Sequence, residues 1–310
     1  MSMKIGVVKE IFRYAVKSMA GEKLAECGVG TLGIPGDRGW AIRDEKTGET
    51  TNGKHIPLLM QCAARYREAP APDFIPHVDM IFPDGTTLGS DLPDINERLS
   101  KLLERSVSLW SRRPADDTEF YRRKSKTGRI FARLARFRVF RAALPALTSF
   151  GPAHAQLQEA FSREPGEPVP DLSVLPPDIF EFTSPLGTFF DAFPIHLLTT
   201  SSLELMARLN PGATWDMRRF RPNFLIETRP EIKGLVEAEW SGRRLRVGGV
   251  ELKCEIPTPR CGMTIQAQQG LPKEPGILRT IVKDADQNLG IYASVTAVGE
   301  IRVGDLVELG

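Results

Sequence analysis

Along this chain apolar residues recur mostly at every second position, in short runs cut by turn formers, and that pattern predicts strands rather than long helices. Ile5 to Ile11 is apolar and β-branched, Trp40 to Arg43 leads into a Lys46-Thr47-Gly48 turn, and Ala63 to Arg67 is a short mixed run. Val78 to Phe82 and Thr86 to Leu88 flank Asp84-Gly85, a pair that favours a hairpin turn. Between Ser90 and Ser106 the period changes, with Ile95, Leu99, Leu102 and Leu103 on one helical face, and Leu109-Trp110 returns to strand character. The last third reads as strand at Asn223 to Ile226, Arg244 to Val247, Val250 to Ile256, Tyr292 to Val298 and Leu306 to Leu309. Its one expected helix runs from about Ser202 to Leu209, entered through a capping box of Ser201 and Glu204 and stopped by Asn210-Pro211-Gly212. Many short strands with Gly-bounded turns favour a barrel or sandwich over a doubly wound sheet.

The stretch from Ser111 to Asp178 stands apart. Between Ser111 and Arg141 eleven Lys and Arg face three Asp and Glu, although the whole chain carries only +2, and Pro, Gly and Ser dominate further on. Surface insertions have this composition. Gly128 to Leu147 has helical spacing, with Ile130, Leu134, Phe137 and Leu144 on one side and Arg129, Arg133 and Arg136 beside them. Such a basic face reads most simply as solvated; docking of an acidic electron donor, a membrane surface or nucleic acid are the functional alternatives.

At 310 residues, 41% hydrophobic and 26% charged, the chain can build one large or two intimate domains and has an ordinary globular composition. Cys27, Cys62, Cys254 and Cys261 lack short repeated spacing, which suits reduced thiols in a cytoplasm. The opening residues are broken by charge where a secretory signal would be apolar, and no run approaches the roughly 20 apolar residues of a membrane span. His55, His77, His154 and His196 lack metal-ligand spacing, and neither a Gly-x-Ser-x-Gly elbow nor a phosphate-cradling glycine loop is present, so hydrolase and nucleotide-fold readings are weak.

The most pointed chemistry lies in Pro257-Thr258-Pro259-Arg260-Cys261-Gly262-Met263-Thr264, where an arginine beside a thiol favours the thiolate, a nucleophile or metal ligand. Taken alone, Cys261 is equally well a small buried apolar residue, and Cys254, alternating within a strand run, reads as core. Three further segments put cationic or hydrogen-bonding groups beside turn formers: Tyr14-Ala15-Val16-Lys17-Ser18, Gly36-Asp37-Arg38-Gly39-Trp40 and Phe220-Arg221-Pro222-Asn223. Singly, Lys17 and Arg38 are surface charges and Asn223 suits a turn. Thr200 and Ser201 either cap the helix behind them or offer its start to an anion.

Together with Gly290 to Val295 and Gly299 to Asp305, these segments resemble the MOSC family (the molybdenum cofactor sulfurase C-terminal module), in the branch with an N-terminal β-barrel partner domain that includes mitochondrial amidoxime-reducing components and their bacterial counterparts. The resemblance implies a mainly β (α+β) protein with few helices: a MOSC N-terminal β-barrel-like domain over 1–110, a basic, partly helical insertion over 111–178 outside the resemblance, and a MOSC domain over 179–310. It implies an oxidoreductase for N-hydroxylated small molecules that holds the molybdenum cofactor, with Cys261 as the catalytic thiolate on the metal. By the same resemblance Lys17, Ser18, Arg38, Arg221, Asn223 and Arg260 surround the phosphate and pterin, with Thr200, Ser201 and Tyr292 as further contacts; arginine forks suit phosphate, and Asn and Ser suit a heterocycle's mixed donors and acceptors. Electrons would come from a separate ferredoxin-, flavodoxin- or cytochrome-like protein, since the four cysteines have no recognisable iron–sulfur spacing; nucleic acid is not an expected partner. The alternatives to an oxidoreductase are a sulfur carrier with a Cys261 persulfide and a cofactor-delivery module for molybdenum enzymes, and pyridoxal phosphate binding is a further expectation. Two positions depart from the amidoxime reducers: Pro259 stands where they carry serine, and Thr264 to Gln268 replaces their longer threonine and acidic pattern.

Overall fold

Seven strands close into a barrel in the computed structural model, which describes residues 2–124 and 132–310. In chain order they are β1 (Met3–Arg13), β2 (Ile195–Thr199), β3 (Phe224–Thr228), β4 (Arg244–Val247), β5 (Val250–Pro259), β6 (Asn288–Ala297) and β7 (Leu306–Leu309). Around the barrel the order is β3-β2-β6-β5-β4-β7-β1, and β1 closes the circle against β3. Alternation along each strand decides the inside: Leu245 and Val247 of β4, and Val250, Leu252 and Cys254 of β5, point into a core shared with Ile5, Val8, Ile11, Leu197, Phe224, Ile291 and Val307. Cys254 is fully buried there, as its strand spacing predicts.

Every neighbouring pair is antiparallel except β2 and β3, which run parallel with Leu197 opposite Phe224. A parallel pair needs a crossover, and the helix Thr200–Leu209 supplies it. A second helix, Pro275–Asp284, packs beside it; Ile277, Ile281, Met206 and Phe220 form a separate apolar layer with Phe12, Tyr14 and Leu198 outside the barrel wall. That second helix, and β2 itself, were not expected from the sequence pattern. Ile277, Leu278, Ile281 and Val282 fall on one helical face, but three of those four are β-branched and bias the reading toward strand.

Two three-stranded sheets lie in the N-terminal part. One joins Glu49–Thr50, Trp40–Asp44 and Val107–Ser111; the other joins Ala63–Tyr66, Val78–Ile81 and Thr87–Gly89. They and the helix Ile95–Leu103 share a core of Trp40, Ile42, Leu59, Met80, Leu99 and Val107. The hairpin at Asp84-Gly85, the helix and the return strand all match their sequence signals.

In the insertion the expected helix over 128–147 begins outside the described residues; 132–135 are helical, a turn follows, and a helix resumes at Arg138–Leu147. A second helix, Gly151–Phe161, arises where Pro, Gly and Ser content pointed to irregular chain. Among the described residues no helix is long and apolar enough to cross a membrane.

Candidate functional site

At the end of β1 the chain leaves the barrel through Tyr14 to Ser18, and this loop is laced to the Gly36–Trp40 turn. Arg38 N–H donates to the Tyr14 carbonyl at 2.6 Å, Tyr14 N–H to Asp37 Oδ1 at 2.8 Å, and Lys17 N–H to the Trp40 carbonyl at 2.8 Å. Ser18 and Arg38 are left-handed at φ 70° and 50°, and Arg221, in the loop before β3, is the same at 56°. A non-glycine residue held there costs about 1–3 kcal/mol and persists where surrounding structure enforces it, often at functional sites. Three of the segments singled out in the sequence thus meet as strained loop residues around one hollow.

That hollow, about 580 Å³ including the space open to solvent, is lined by Lys17, Ser18, Arg38, Arg221, Arg260, Cys261 and Tyr292, together with Asp191, His196, Arg219, Phe220, Pro259, Met263 and Thr264. Arg221 and Arg38 both lie over the Tyr14 ring, at 4.1 and 5.0 Å from its centre, and Arg260 lies over the Phe220 ring at 5.5 Å, so aromatic faces hold the cations in place. Tyr14 is fixed in turn by its hydroxyl, which donates to the Pro222 carbonyl at 3.0 Å.

The charge balance is positive. Arg219 is paired with Glu274 and Arg38 with the buried Asp37, while Lys17 pairs with Asp191 at 2.8 Å and donates to the Phe189 carbonyl at 2.9 Å. Burial draws the Arg221 guanidinium down to about 10 and lowers Arg260 as well, the mark of cations lacking a full set of counter-charges. Burial, reinforced by Arg260 and Arg38, also takes His196 well below the usual histidine range, so it is neutral. Asp191 goes the other way. The surrounding wall works to raise its carboxyl, but Lys17, Arg38 and Arg221 override that and hold it at about 2, with the side chain still 63% open to solvent. Buried and without a hydrogen-bond partner are Arg221 Nη2 and Arg260 Nε, two guanidinium nitrogens of the same pocket. Buried polar groups are normally satisfied, so their convergence calls for an external ligand rich in acceptors.

Cys261 follows the end of β5 in a tight turn: Thr264 N–H and Oγ1 both donate to its carbonyl, at 3.1 and 3.0 Å, and its side chain is partly exposed. Burial pushes Cys27 and Cys254 up to about 12 and Cys62 up to about 11, which leaves them protonated and inert.

Three expected contacts lie elsewhere. Asn223 is buried behind the pocket wall, where it ties loops together: Oδ1 accepts from His196 N–H at 3.0 Å and Nδ2 donates to Asp37 Oδ2 at 3.0 Å. Thr200 hydrogen-bonds Thr228 N–H at 3.2 Å and faces a different hollow, and Ser201 donates to the Gly234 carbonyl at 2.9 Å. The helix cap is Thr199, whose hydroxyl accepts from Ser202 N–H, rather than Ser201. Both residues sit beyond the far end of β2, about 10 Å of strand from His196. Asp191 and His196 line this pocket without having been singled out in the sequence, because nothing local marks a carboxylate or imidazole whose partners come from distant segments.

A β-barrel flanked by a second β-rich unit, with a strained cationic pocket that includes the partly exposed Cys261, defines the class of protein. Residues 187–308 match the MOSC domain and residues 5–101 the MOSC N-terminal beta barrel domain, so the chain is a member of the MOSC family. Mitochondrial amidoxime reducing component 2 of Rattus norvegicus is 32% identical over 131 residues, 38% of this chain and 37% of that protein, little more than a third of the relative's length. Among solved structures, the YUAD protein from Bacillus subtilis aligns over 100% of this chain and 97% of that chain at 14% identity and a TM-score of 0.41. YiiM from Geobacillus stearothermophilus aligns over 38% and 54%, at 15% identity and a TM-score of 0.29.

Proposed function

We propose that this pocket holds the molybdenum cofactor, with Cys261 as the protein ligand to the metal, and that the protein reduces N-hydroxylated small molecules. The observation that carries the reading is the pair of partnerless buried guanidinium nitrogens on Arg221 and Arg260, in one pocket with the partly exposed Cys261 thiol. Arg38, Arg221, Arg260 and Lys17 would neutralise the cofactor's phosphate, with Ser18 as a further donor, while Tyr292 and His196 wall the heterocycle. Among the described residues no cluster of three or more His, Cys, Asp or Glu could hold a metal ion, which suits a metal that arrives with sulfur ligands of its own and needs one soft thiolate from the protein. When bound, the group supplies the redox chemistry, a two-electron reduction in which the N–O bond breaks, two protons are taken up and water leaves. Asp191, held ionised, accepts hydrogen bonds from a basic substrate's N–H groups and is no proton source. Electrons would come from a separate donor protein in a cytoplasmic setting, drawn to the arginines of the insertion.

Metal and pterin analysis of wild type beside Cys261→Ser tests this. Wild type is expected to carry both and to reduce amidoximes or hydroxylamines with an artificial donor, and Cys261→Ser to stay folded while losing metal retention or activity. Full metal occupancy without turnover across a broad substrate panel defeats the enzyme reading, and a persulfide confined to Cys261 after incubation with a desulfurase favours a sulfur carrier instead.

A further inference from the structure

The second helix of the basic insertion ends against the loop that carries Cys261. This helix, Gly151–Phe161, stops at Ser162, which is left-handed at φ 55°, and a Cβ built on Gly262 would come within 2.2 Å of the Ser162 hydroxyl oxygen. A side chain at 262 would force Ser162 to shift. The next residue, Arg163, is 7% exposed and carries the contact inward. Its Nη2 donates at 3.0 Å to the Arg260 carbonyl, the oxygen of the peptide bond joining Arg260 to Cys261. Its Nε and Nη2 reach Gln287 Oε1 at 3.4 and 3.3 Å, and the Gln287 backbone carbonyl accepts Arg260 N–H at 2.9 Å. Arg163, Gln287 and Arg260 therefore close a ring of hydrogen bonds around the residue preceding the thiol. Further bonds run from Arg163 to the Phe161 and Pro168 carbonyls, both at 3.1 Å.

Every one of these acceptors is a neutral carbonyl. Burying a guanidinium against carbonyls alone is unfavourable unless several of them are fixed in good geometry, and burial accordingly draws Arg163 down to about 10. Such an arrangement is stable only while its acceptors stay in place, so it rigidifies what it holds. The flanks are fastened from outside the insertion: Arg279 Nη2 donates to the Ser162 carbonyl at 2.6 Å and pairs with Glu167, and Lys54 Nζ donates to the Ala160 carbonyl at 2.7 Å.

We propose that residues 151–168 of the insertion are a clasp on the cysteine loop, with Arg163 as the positioning residue that fixes the Cys261 peptide and so slows release of whatever the pocket holds. The retention half rests on the cofactor reading above; the positioning half does not. A ligand loop already fixed has less freedom to lose on binding, which is how a residue remote from the bound group raises its affinity.

The test compares wild type, Arg163→Ala, Arg163→Lys and, as a control in the same insertion, Arg136→Ala, whose guanidinium is exposed and paired with Glu181. Iodoacetamide labelling of cofactor-free protein, mapped by mass spectrometry and compared at a pH where the rate no longer rises with pH, reads the freedom of Cys261 apart from any change in thiolate fraction when the nearby Arg163 charge is removed. Arg163→Ala is expected to alkylate Cys261 about tenfold faster, the size that follows from losing hydrogen bonds made by a buried charged group, while Arg163→Lys is intermediate and Arg136→Ala matches wild type. Circular dichroism establishes that each variant is folded, and Gln287→Ala, which removes an acceptor and leaves the arginine, replaces Arg163→Ala if that variant is not. Alkylation within about twofold of wild type overturns the positioning role. On loaded protein, pterin release into excess apo-protein is expected to accelerate by a similar factor, and release at the wild-type rate overturns the retention role. Wild type that takes up no pterin defeats the cofactor reading and leaves the labelling result standing.

Discussion

His196 shows how much the surroundings of one side chain decide. In sequence it is a histidine in an apolar run with no metal-ligand spacing; in the fold it is buried, tilted against Tyr292 at 5.5 Å between ring centres, and kept neutral by burial and by the charges of Arg260 and Arg38. A histidine whose folded value is depressed contributes stability that is complete above the unfolded value of about 6.5 and lost as the pH falls below it, because only the unfolded chain then takes up the proton. Wild type is therefore expected to lose about 1 kcal/mol more than His196→Gln between about pH 7.5 and about pH 5.5, read from denaturant midpoints at each pH. Equal losses in the two proteins would remove His196 from the account. The basic positions were legible from their turn-rich neighbourhoods, since Arg38 and Arg221 sit beside glycine or proline in short loops. Their left-handed backbones and the partnerless nitrogens were not, because φ and hydrogen-bond satisfaction depend on segments far away in the chain.

Elements with a clean period were legible: the hairpin around Asp84-Gly85, the helix Ile95–Leu103 and the alternating β4 and β5 follow from local pattern alone. β2 escaped because all five of its residues, Ile195 to Thr199, are buried, so no polar alternation marks it. The helix Pro275–Asp284 escaped because β-branched side chains masked a helical face that packing then stabilises. Ile281 lies fully buried in that face against the outer barrel wall. Ile281→Ala is expected to destabilise the protein by about 2–5 kcal/mol, measured by denaturant unfolding, and a cost below about 1 kcal/mol would mean the helix is loosely packed.

At the scale of the whole molecule, β1 is the strand that makes the barrel a barrel, pairing with β3 on one side and β7 on the other. A fragment of residues 187–310, which spans the MOSC match, lacks it and would leave both of those edges unpaired. The fragment is expected to aggregate or stay unfolded by circular dichroism; a soluble, cooperatively folding fragment would show that closure is dispensable. The same long-range closure draws the Tyr14–Ser18 loop, which continues from β1, to the pocket where Arg221 and Cys261 arrive from the far end of the chain. By itself the sequence determined the β-rich class, the alternation that fills the barrel, the segments that supply its cations and the thiol set apart from the others, because these follow from period, composition and immediate neighbours. Only the tertiary structure decided that Asn223 braces the wall and does not line it, that Asp191 and His196 join the site, and that the insertion fastens onto the cysteine loop. Those outcomes depend on contacts between residues often more than a hundred positions apart, and such contacts exist only once the barrel has closed.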